Sequence, residues 1–249
     1  MAIVSDRSLP NRLGLEVDDI ELTASVGTDP APCGDVNGSG KLTAADALAV
    51  LKAAVGQPIA LQCEASGQPL KTGQSACYDA AGAGISCIGS GQDGEYQYGV
   101  ARAFTDNGDG TITDHATGLM WEKLADDGGV HDVDNVYTWP EAFSAKIATL
   151  NSALFAGFSD WRVPNLAELQ TLPNFAAWNP AAFAPFHTAC SPGCGVTACS
   201  CTRALPFWTS TSFAEIPGLA WAHSAAEGAT FPSAKDAYSL RVRAVRRGH

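Results

Sequence analysis

The chain has 249 residues, of which 46% are hydrophobic and 16% are charged, and its formal net charge is -11. This length suits one sizeable core with a small appended module, so we expect two unequal domains. The acidic surface would repel phosphate backbones, and no run of about 18 apolar residues could span a bilayer. Neither a nucleic-acid partner nor a transmembrane segment is therefore expected.

Residues 1–32 mix Asp, Glu, Gly and Pro with two short alternating patches, at 13–17 and 20–26. The alternation is compatible with an added edge strand, and the polar composition is compatible with a tether. Both interpretations stay open.

Residues 33–67 open with a loop typical of EF-hand calcium sites. Oxygen-bearing side chains occupy loop positions 1, 3, 5 and 12, and a glycine stands at position 6, where the backbone turns sharply. Only two of these ligands are carboxylates, so we expect a Kd on the order of 10⁻⁴ to 10⁻³ M. The predicted calcium ligands are Asp35, Asn37, Ser39, the carbonyl of Lys41, and Asp46.

The calcium loop leads into a predicted amphipathic helix, with Leu48, Leu51 and Val55 on one face. Without a metal, Thr43 and Asp46 could form a helix-capping box instead. The whole unit, GDVNGSGKLTAADALAVLKAAVG, resembles a single type I dockerin repeat. That resemblance implies calcium binding by the same loop.

From residue 68 onward, short strand-like runs alternate with Gly, Asn and Asp. The DNGDG segment at 106–110 is typical of a hairpin turn, although its oxygens also suit a calcium ion. The acidic residues between 126 and 134 indicate either a solvated loop or a second calcium site.

Two helices are predicted in this larger part. The first covers 138–155, with Thr138 as its cap and with Phe143, Ile147 and Leu150 on its buried face. The second is shorter and covers 165–172. Strands are predicted afterwards at FWTSTSF (207–213), LAWAHSA (219–225) and SLRVRAV (239–245). The order of elements predicts an α+β domain over 68–249, with two helices beside an antiparallel sheet.

Four motifs of this part, taken together, resemble the Lcl C-terminal domain family. The resemblance extends from Leu70 to Arg247, and it implies a C-type-lectin-like fold in a surface or secreted protein that attaches to glycans. The acidic surface argues against sulfated glycans, whose binding relies on basic patches. The motifs are FTDNGDGTITDHATGLMWEK (104–123), GFSDWRVPNLAELQTL (157–172), FWTSTSF (207–213) and SLRVRAVRRG (239–248).

The chain has eight cysteines, an even number, and they occur in clusters. This pattern indicates disulfides formed in an oxidising compartment, and so an extracellular or cell-surface location. A zinc site in CSPGCGVTACSC is the rival interpretation, but the spacing is not a paired C-x-x-C and no histidine follows at ligand spacing. We expect all of them to be oxidised. The cysteines are Cys33, Cys63, Cys77, Cys87, Cys190, Cys194, Cys199 and Cys201.

Aromatic side chains are the candidates for ligand binding, because a flat ring can stack against a sugar. We select Trp178, Trp208, Trp221 and Tyr238, although about half of such aromatics in a small domain serve the core. The motifs H-E-x-x-H, G-x-S-x-G and the P-loop are missing from the sequence, so an enzyme is not expected.

The sequence therefore predicts an extracellular or cell-surface binding protein that recognises a glycan or protein partner, with calcium stabilising its N-terminal module. The alternative is a structural subunit of an extracellular filament or surface assembly, which would associate with itself.

Overall fold

The structure is a computed structural model, and it describes residues 69–248. The predicted segments 1–32 and 33–67, including the calcium loop, lie outside these residues. The described part is α+β, with mostly antiparallel strands and short helices, as the sequence predicts. Within it, no helix has the length and apolar character needed to cross a membrane.

Nine strands and several short helices make up the described residues. The strands are β1 (Cys77–Tyr78), β2 (Gly84–Ile85), β3 (Phe104–Asp106), β4 (Thr111–Asp114), β5 (Leu119–Glu122), β6 (Pro206–Ser212), β7 (Leu219–Ser224), β8 (Thr230–Ala234) and β9 (Val245–Arg247). The α-helices are α1 (Asp93–Tyr96), α2 (Trp139–Glu141), α3 (Ala148–Ser152) and α4 (Leu166–Leu169). A π-helical segment covers Ala142–Ile147, and 3-10 turns cover Phe155–Gly157 and Ala184–Phe186.

The strands form separate sheets rather than the single sheet that the sequence suggested. One sheet has the order β3-β4-β5-β9, another has the order β6-β7-β8, and β1 pairs with β2 alone. The predicted hairpin turn at 106–110 joins β3 to β4. Gly108 and Gly110 adopt φ of 77° and 95° there, values that glycine reaches without steric cost.

The predicted helix at 138–155 is present but not continuous. Thr138 caps it through a reciprocal pair of contacts with Glu141, as expected for a capping box. The π-helical segment then interrupts the α-helical spacing, and the predicted buried face changes accordingly. Ile147 and Leu150 are buried, but Phe143 is 36% exposed and Lys146 is buried in its place. The prediction for Phe143 was wrong because the π turn shifts the register.

The core consists of two neighbouring clusters. The first contains Trp121, Phe186 and Phe207, and the second contains Trp161 and Trp208. Strand β9 and the residues before it contribute to both, through Val245 in the first cluster and Val242 and Ala244 in the second. The C-terminal strand therefore connects the two halves of the core.

Every cysteine in the described residues is paired, which confirms the disulfide prediction for that part of the chain. The pairs are Cys77–Cys87, Cys190–Cys201 and Cys194–Cys199. Cys33 and Cys63 lie outside the described residues.

A small cavity of about 30 Å³ lies between α4 and the β6-β7-β8 sheet, with Leu169, Phe207 and His223 among its lining residues. His223 is 3% exposed, and its Nδ1 atom has no hydrogen-bond partner among the described residues. Burial lowers the pKa of His223 from 6.5 to about 4, against a small opposing effect of Glu227. The folded protein therefore holds this ring neutral.

The buried His223 should make the protein less stable in acid. Between about pH 6.5 and 4 the unfolded chain binds a proton at this ring and the folded chain does not. The free energy of unfolding therefore decreases as the pH is lowered through this range. The full loss is about 3 kcal/mol. His223→Gln should flatten this slope in urea unfolding measured across that range. His115→Gln, at an exposed histidine, is the control and should keep it. Equal slopes in wild type and His223→Gln would contradict the assignment.

Candidate functional site

An open pocket of about 280 Å³ lies where the first described residues meet the end of α4. Backbone contacts fix its walls: Lys71 donates its N–H to the carbonyl of Val100 at 3.0 Å, and Phe175 donates to the carbonyl of Thr72 at 2.9 Å. The pocket therefore has defined walls built from segments about 100 residues apart in the chain. Its polar and aromatic lining residues are Lys71, Thr72, Arg102, Gln170, Thr171 and Phe175.

The cationic wall of the pocket is Arg102. Its side chain is 6% exposed, lies between the rings of Phe104 and Phe183 at 5.0 and 5.1 Å, and pairs with Asp114 at 3.2 Å. Burial lowers the pKa of Arg102, and the charge of Asp114 opposes this effect. The Nε atom has no hydrogen-bond partner among the described residues. Arg102 thus places a positive charge, paired with Asp114, in the wall of the pocket.

The aromatic wall of the pocket is Phe175, whose side chain is 48% exposed. Its ring packs on Gly228 so closely that a Cβ atom there would lie 2.8 Å from the ring. Trp178, three residues further along the chain, is 77% exposed. Exposed rings beside hydrogen-bonding groups are the combination that suits a sugar ligand.

The four aromatic residues selected from the sequence have different environments. Trp178 and Tyr238 are exposed, at 77% and 58%. Trp221 is half-buried and packs edge-on against Phe213 with ring centroids 5.3 Å apart. Trp208 is fully buried, and its indole donates to the carbonyl of Tyr137 at 2.8 Å. The prediction that Trp208 binds a ligand was therefore wrong, because its ring, on β6, is buried in the core.

Sequence reasoning missed Arg102, Gln170 and Phe175. Nothing in the local pattern marks them, because the pocket forms only when distant segments pack together. It also missed the exposed pair Tyr96 and Tyr98, which stack with ring centroids 5.2 Å apart. Two tyrosines at that spacing, one ending α1 and the other just after it, were the available signal.

A second polar centre surrounds Glu122, which is fully buried together with Lys146 and Arg243, whereas His131 is partly exposed. One carboxylate oxygen accepts from Lys146 at 2.5 Å and from His131 at 2.8 Å, and the other accepts from the N–H of Ala244 at 2.9 Å. Burial alone would raise the pKa of Glu122, but Lys146 and His131 outweigh it and lower the pKa. Arg243 adds a hydrogen bond to the carbonyl of Glu122 at 2.9 Å. The carboxylate of Glu122 is shielded from solvent, so we interpret this network as structural.

The acidic loop beside this network contains three carboxylates within 4.8 Å of one another, those of Asp126, Asp132 and Asp134. Arg203 bridges two of them, with contacts of 3.2 Å to Asp126 and 2.8 Å to Asp134. Hydrogen bonding to Arg203 lowers the pKa of Asp134. Arg203 and Arg241 supply positive charge to these carboxylates, so ion pairs fix the loop and it is not merely a solvated turn. A second calcium ion at this loop stays an untested prediction.

The oxygens of the 106–110 turn are engaged in local contacts. Asp106 pairs with Lys123 at 2.7 Å, and Asp109 accepts from the N–H and the hydroxyl of Thr111 at 3.0 and 2.6 Å. The hairpin interpretation of this segment is confirmed. Calcium binding by the same turn remains untested.

The observed fold is an α+β domain of small antiparallel sheets, fastened by disulfides and by a buried charge network. The sequence model of the Lcl C-terminal domain family matches residues 110–246, which is more than half of the chain. The chain therefore belongs to the Lcl C-terminal domain family. None of the curated proteins gives a significant match to this chain. The matched range contains Gln170 and Phe175 of the pocket, whereas Lys71, Thr72 and Arg102 precede it.

Removing the central carboxylate should destabilise the domain strongly. Glu122→Gln leaves Lys146 buried without its counter-ion, which costs about 3 to 5 kcal/mol in the free energy of unfolding. Chemical denaturation measures this loss. Glu215→Gln, at an exposed glutamate, is the matched control and should change stability by less than about 0.5 kcal/mol.

A double variant tests the cause of that loss. Glu122→Gln/Lys146→Met removes both buried charges, so it should be more stable than Glu122→Gln alone. A double variant that is less stable than the single one would mean that packing, rather than charge, explains the effect.

Proposed function

We propose that this chain is an extracellular or cell-surface binding protein, not an enzyme, whose Lcl C-terminal domain recognises a glycan or protein partner through the pocket beside α4. The observation that carries the proposal is the juxtaposition of an exposed phenylalanine ring with several hydrogen-bonding side chains in one open pocket. We also infer that the domain is a variant of the C-type-lectin-like fold.

The chemistry of the pocket favours a sugar. The C–H face of a pyranose can stack on the ring of Phe175, while Lys71, Gln170 and Thr171 can hydrogen-bond its hydroxyl groups. At about 280 Å³ the pocket is near the lower end of ligand-site volumes, so it suits one sugar unit or one amino-acid side chain. We expect the pocket to bind the end of a larger partner.

Rigidity of the walls supports binding as the role of this pocket. The N–H of Phe175 is held by Thr72, and its carbonyl accepts from the side chain of Gln74 at 3.4 Å. Gly228 supports the ring from behind. A group that is held in place before binding loses little conformational freedom on binding.

The paired cysteines support an oxidising location. Disulfides persist in extracellular proteins and at cell surfaces, whereas cytosolic thiols are kept reduced. Three disulfides in residues 69–248 therefore favour an extracellular or cell-surface location.

We further propose that calcium binds the dockerin-like loop and stabilises the N-terminal module. The ligand set is Asp35, Asn37, Ser39, the Lys41 carbonyl and Asp46, all oxygen donors that suit a hard cation. Cys33 and Cys63 flank this module, and a bridge between them would replace the packing that a second repeat provides.

Substitution of the aromatic wall should weaken ligand binding. Phe175→Ala removes a stacking surface worth about 0.5 to 1.5 kcal/mol, so affinity for a glycan identified on an array should fall about two- to twelvefold. Tyr238→Ala is the control, because Tyr238 is also an exposed aromatic residue but does not line the pocket. Calorimetry or surface binding with the monomeric protein gives the affinities.

Two outcomes would contradict this proposal. Loss of binding in Tyr238→Ala with full binding in Phe175→Ala would place the site on another surface. Self-association without any glycan binding would instead favour the filament or surface-assembly alternative.

Calcium binding should depend on the first loop ligand. Asp35→Ala removes one of two charged ligands and should abolish the calcium response, whereas Asp109→Ala in the hairpin turn should keep it. At about 100 times Kd the ion stabilises the native state by about 2.7 kcal/mol. This gain should be local to residues 33–63, so the larger domain should melt almost unchanged after chelation. Calcium titration by calorimetry, with thermal melts before and after chelation, measures both effects. If Asp35→Ala kept calcium binding and Asp109→Ala lost it, the prediction would have placed the metal in the wrong loop.

A further inference from the structure

We propose that residues 190–201 form a redox-controlled zinc site: when both disulfides of this segment are reduced, its four thiolates bind one Zn²⁺ ion. The segment contains Cys190, Cys194, Cys199 and Cys201, and we call it the four-cysteine segment. In the oxidised protein the same side chains fasten the segment as two disulfides.

The sulfur atoms already converge on one point. Cys194 Sγ and Cys201 Sγ belong to different disulfides, yet they lie 3.8 Å apart. Cys199 Sγ lies within 4.8 Å of both, and Cys190 Sγ is bonded to Cys201 Sγ. In a tetrahedral zinc site with Zn–S distances of about 2.3 Å, neighbouring sulfurs are about 3.8 Å apart. Small side-chain rotations would therefore convert the cluster into a zinc ligand set.

The backbone holds the segment in place independently of its disulfides. Cys201 donates its N–H to the carbonyl of Leu124 at 2.8 Å, and Asp126 donates its N–H to the carbonyl of Cys194 at 3.0 Å. Thr188 and Ser200 exchange two backbone hydrogen bonds, at 2.8 and 2.9 Å. None of these hydrogen bonds involves a sulfur atom, so reduction would not break them directly. The thiols would then stay close together, and the cost of assembling the site would be small.

The burial of the sulfurs suits a metal that enters from one side. Cys199 and Cys201 are 2% and 0% exposed, whereas Cys190 and Cys194 are half-buried. A reductant and then a zinc ion can therefore approach the outer cysteines. The inner cysteines would be shielded from competing ligands.

The surrounding charges act in both directions. Zn²⁺ with four thiolates carries a net charge of -2, which the buried guanidinium of Arg243 stabilises through its 2.8 Å hydrogen bond to the carbonyl of Cys201. Asp126 and Asp127 lie nearby and oppose this charge, but Arg203 pairs with Asp126.

The chemistry balances in two stages. Each disulfide takes up two electrons and two protons from a dithiol reductant, which becomes a cyclic disulfide, so two equivalents release four thiols. Zn²⁺ then replaces the four thiol protons, which leave to solvent. Zinc binding should therefore weaken as the pH falls.

The test measures zinc in the full chain with and without reduction. After treatment with a dithiol and its removal without air, the protein should hold about one zinc ion per chain, and the oxidised protein should hold none above background. Cobalt in place of zinc should give the intense visible absorption of tetrahedral thiolate coordination. Re-oxidation should release the metal.

Matched cysteine variants locate the site. Cys194→Ser/Cys199→Ser should lose the stoichiometric zinc, whereas Cys77→Ser/Cys87→Ser and Cys33→Ser/Cys63→Ser should keep it. Near-UV circular dichroism of each reduced variant checks that the domain stays folded. The Cys194→Ser single variant leaves the Cys190–Cys201 disulfide in place, and it supplies a second measurement if the double variant unfolds.

Three results would overturn the proposal. They are the absence of stoichiometric zinc in the reduced wild type, the retention of zinc by both Cys194 variants, and loss of the folded domain on reduction before any metal is added. The last result would show that the disulfides, and not the backbone, hold the sulfurs together.

Discussion

The carboxylate of Glu122 is the constraint on which the rest of the domain depends. A buried charge without partners costs several kcal/mol, so every segment that supplies a partner must arrive at one place. Lys146 comes from the π-helical segment, His131 from the acidic loop, and the N–H of Ala244 from the residues before β9. One side chain on β5 thereby couples the helix, the loop and the C-terminal strand, which are distant in the sequence.

This coupling extends outward to the surface. Arg243 contacts both the carbonyl of Glu122 and that of Cys201, so the buried centre also fixes the four-cysteine segment. The acidic loop is joined to the same segment by backbone hydrogen bonds between Asp126 and residues 193 and 194. Disulfides and charges thus reinforce the same part of the fold.

The sequence predicted those features that depend on neighbouring residues. The 106–110 hairpin follows from its Asn-Gly and Asp-Gly pairs, and the Thr138 cap follows from its spacing to Glu141. It failed where tertiary contacts decide the outcome. Helical periodicity alone cannot anticipate a π turn that places Lys146 against a buried carboxylate, and strand alternation cannot tell that Trp208 faces the core. Likewise, cysteine spacing predicted disulfides but not their pairing, which depends on the pairing of Thr188 with Ser200.

The pocket beside α4 combines residues of the family domain with residues that precede it. Gln170 and Phe175 lie inside the range that matches the family, whereas Lys71, Thr72 and Arg102 come from the preceding segment. Arg102 is held by Asp114 and by two aromatic rings, so this preceding segment is a fixed wall of the pocket. Substitutions at Lys71 or Thr72 could therefore change ligand preference without disturbing the core around Glu122. In the proposed function, recognition and stability would therefore be carried by different residues of the same domain.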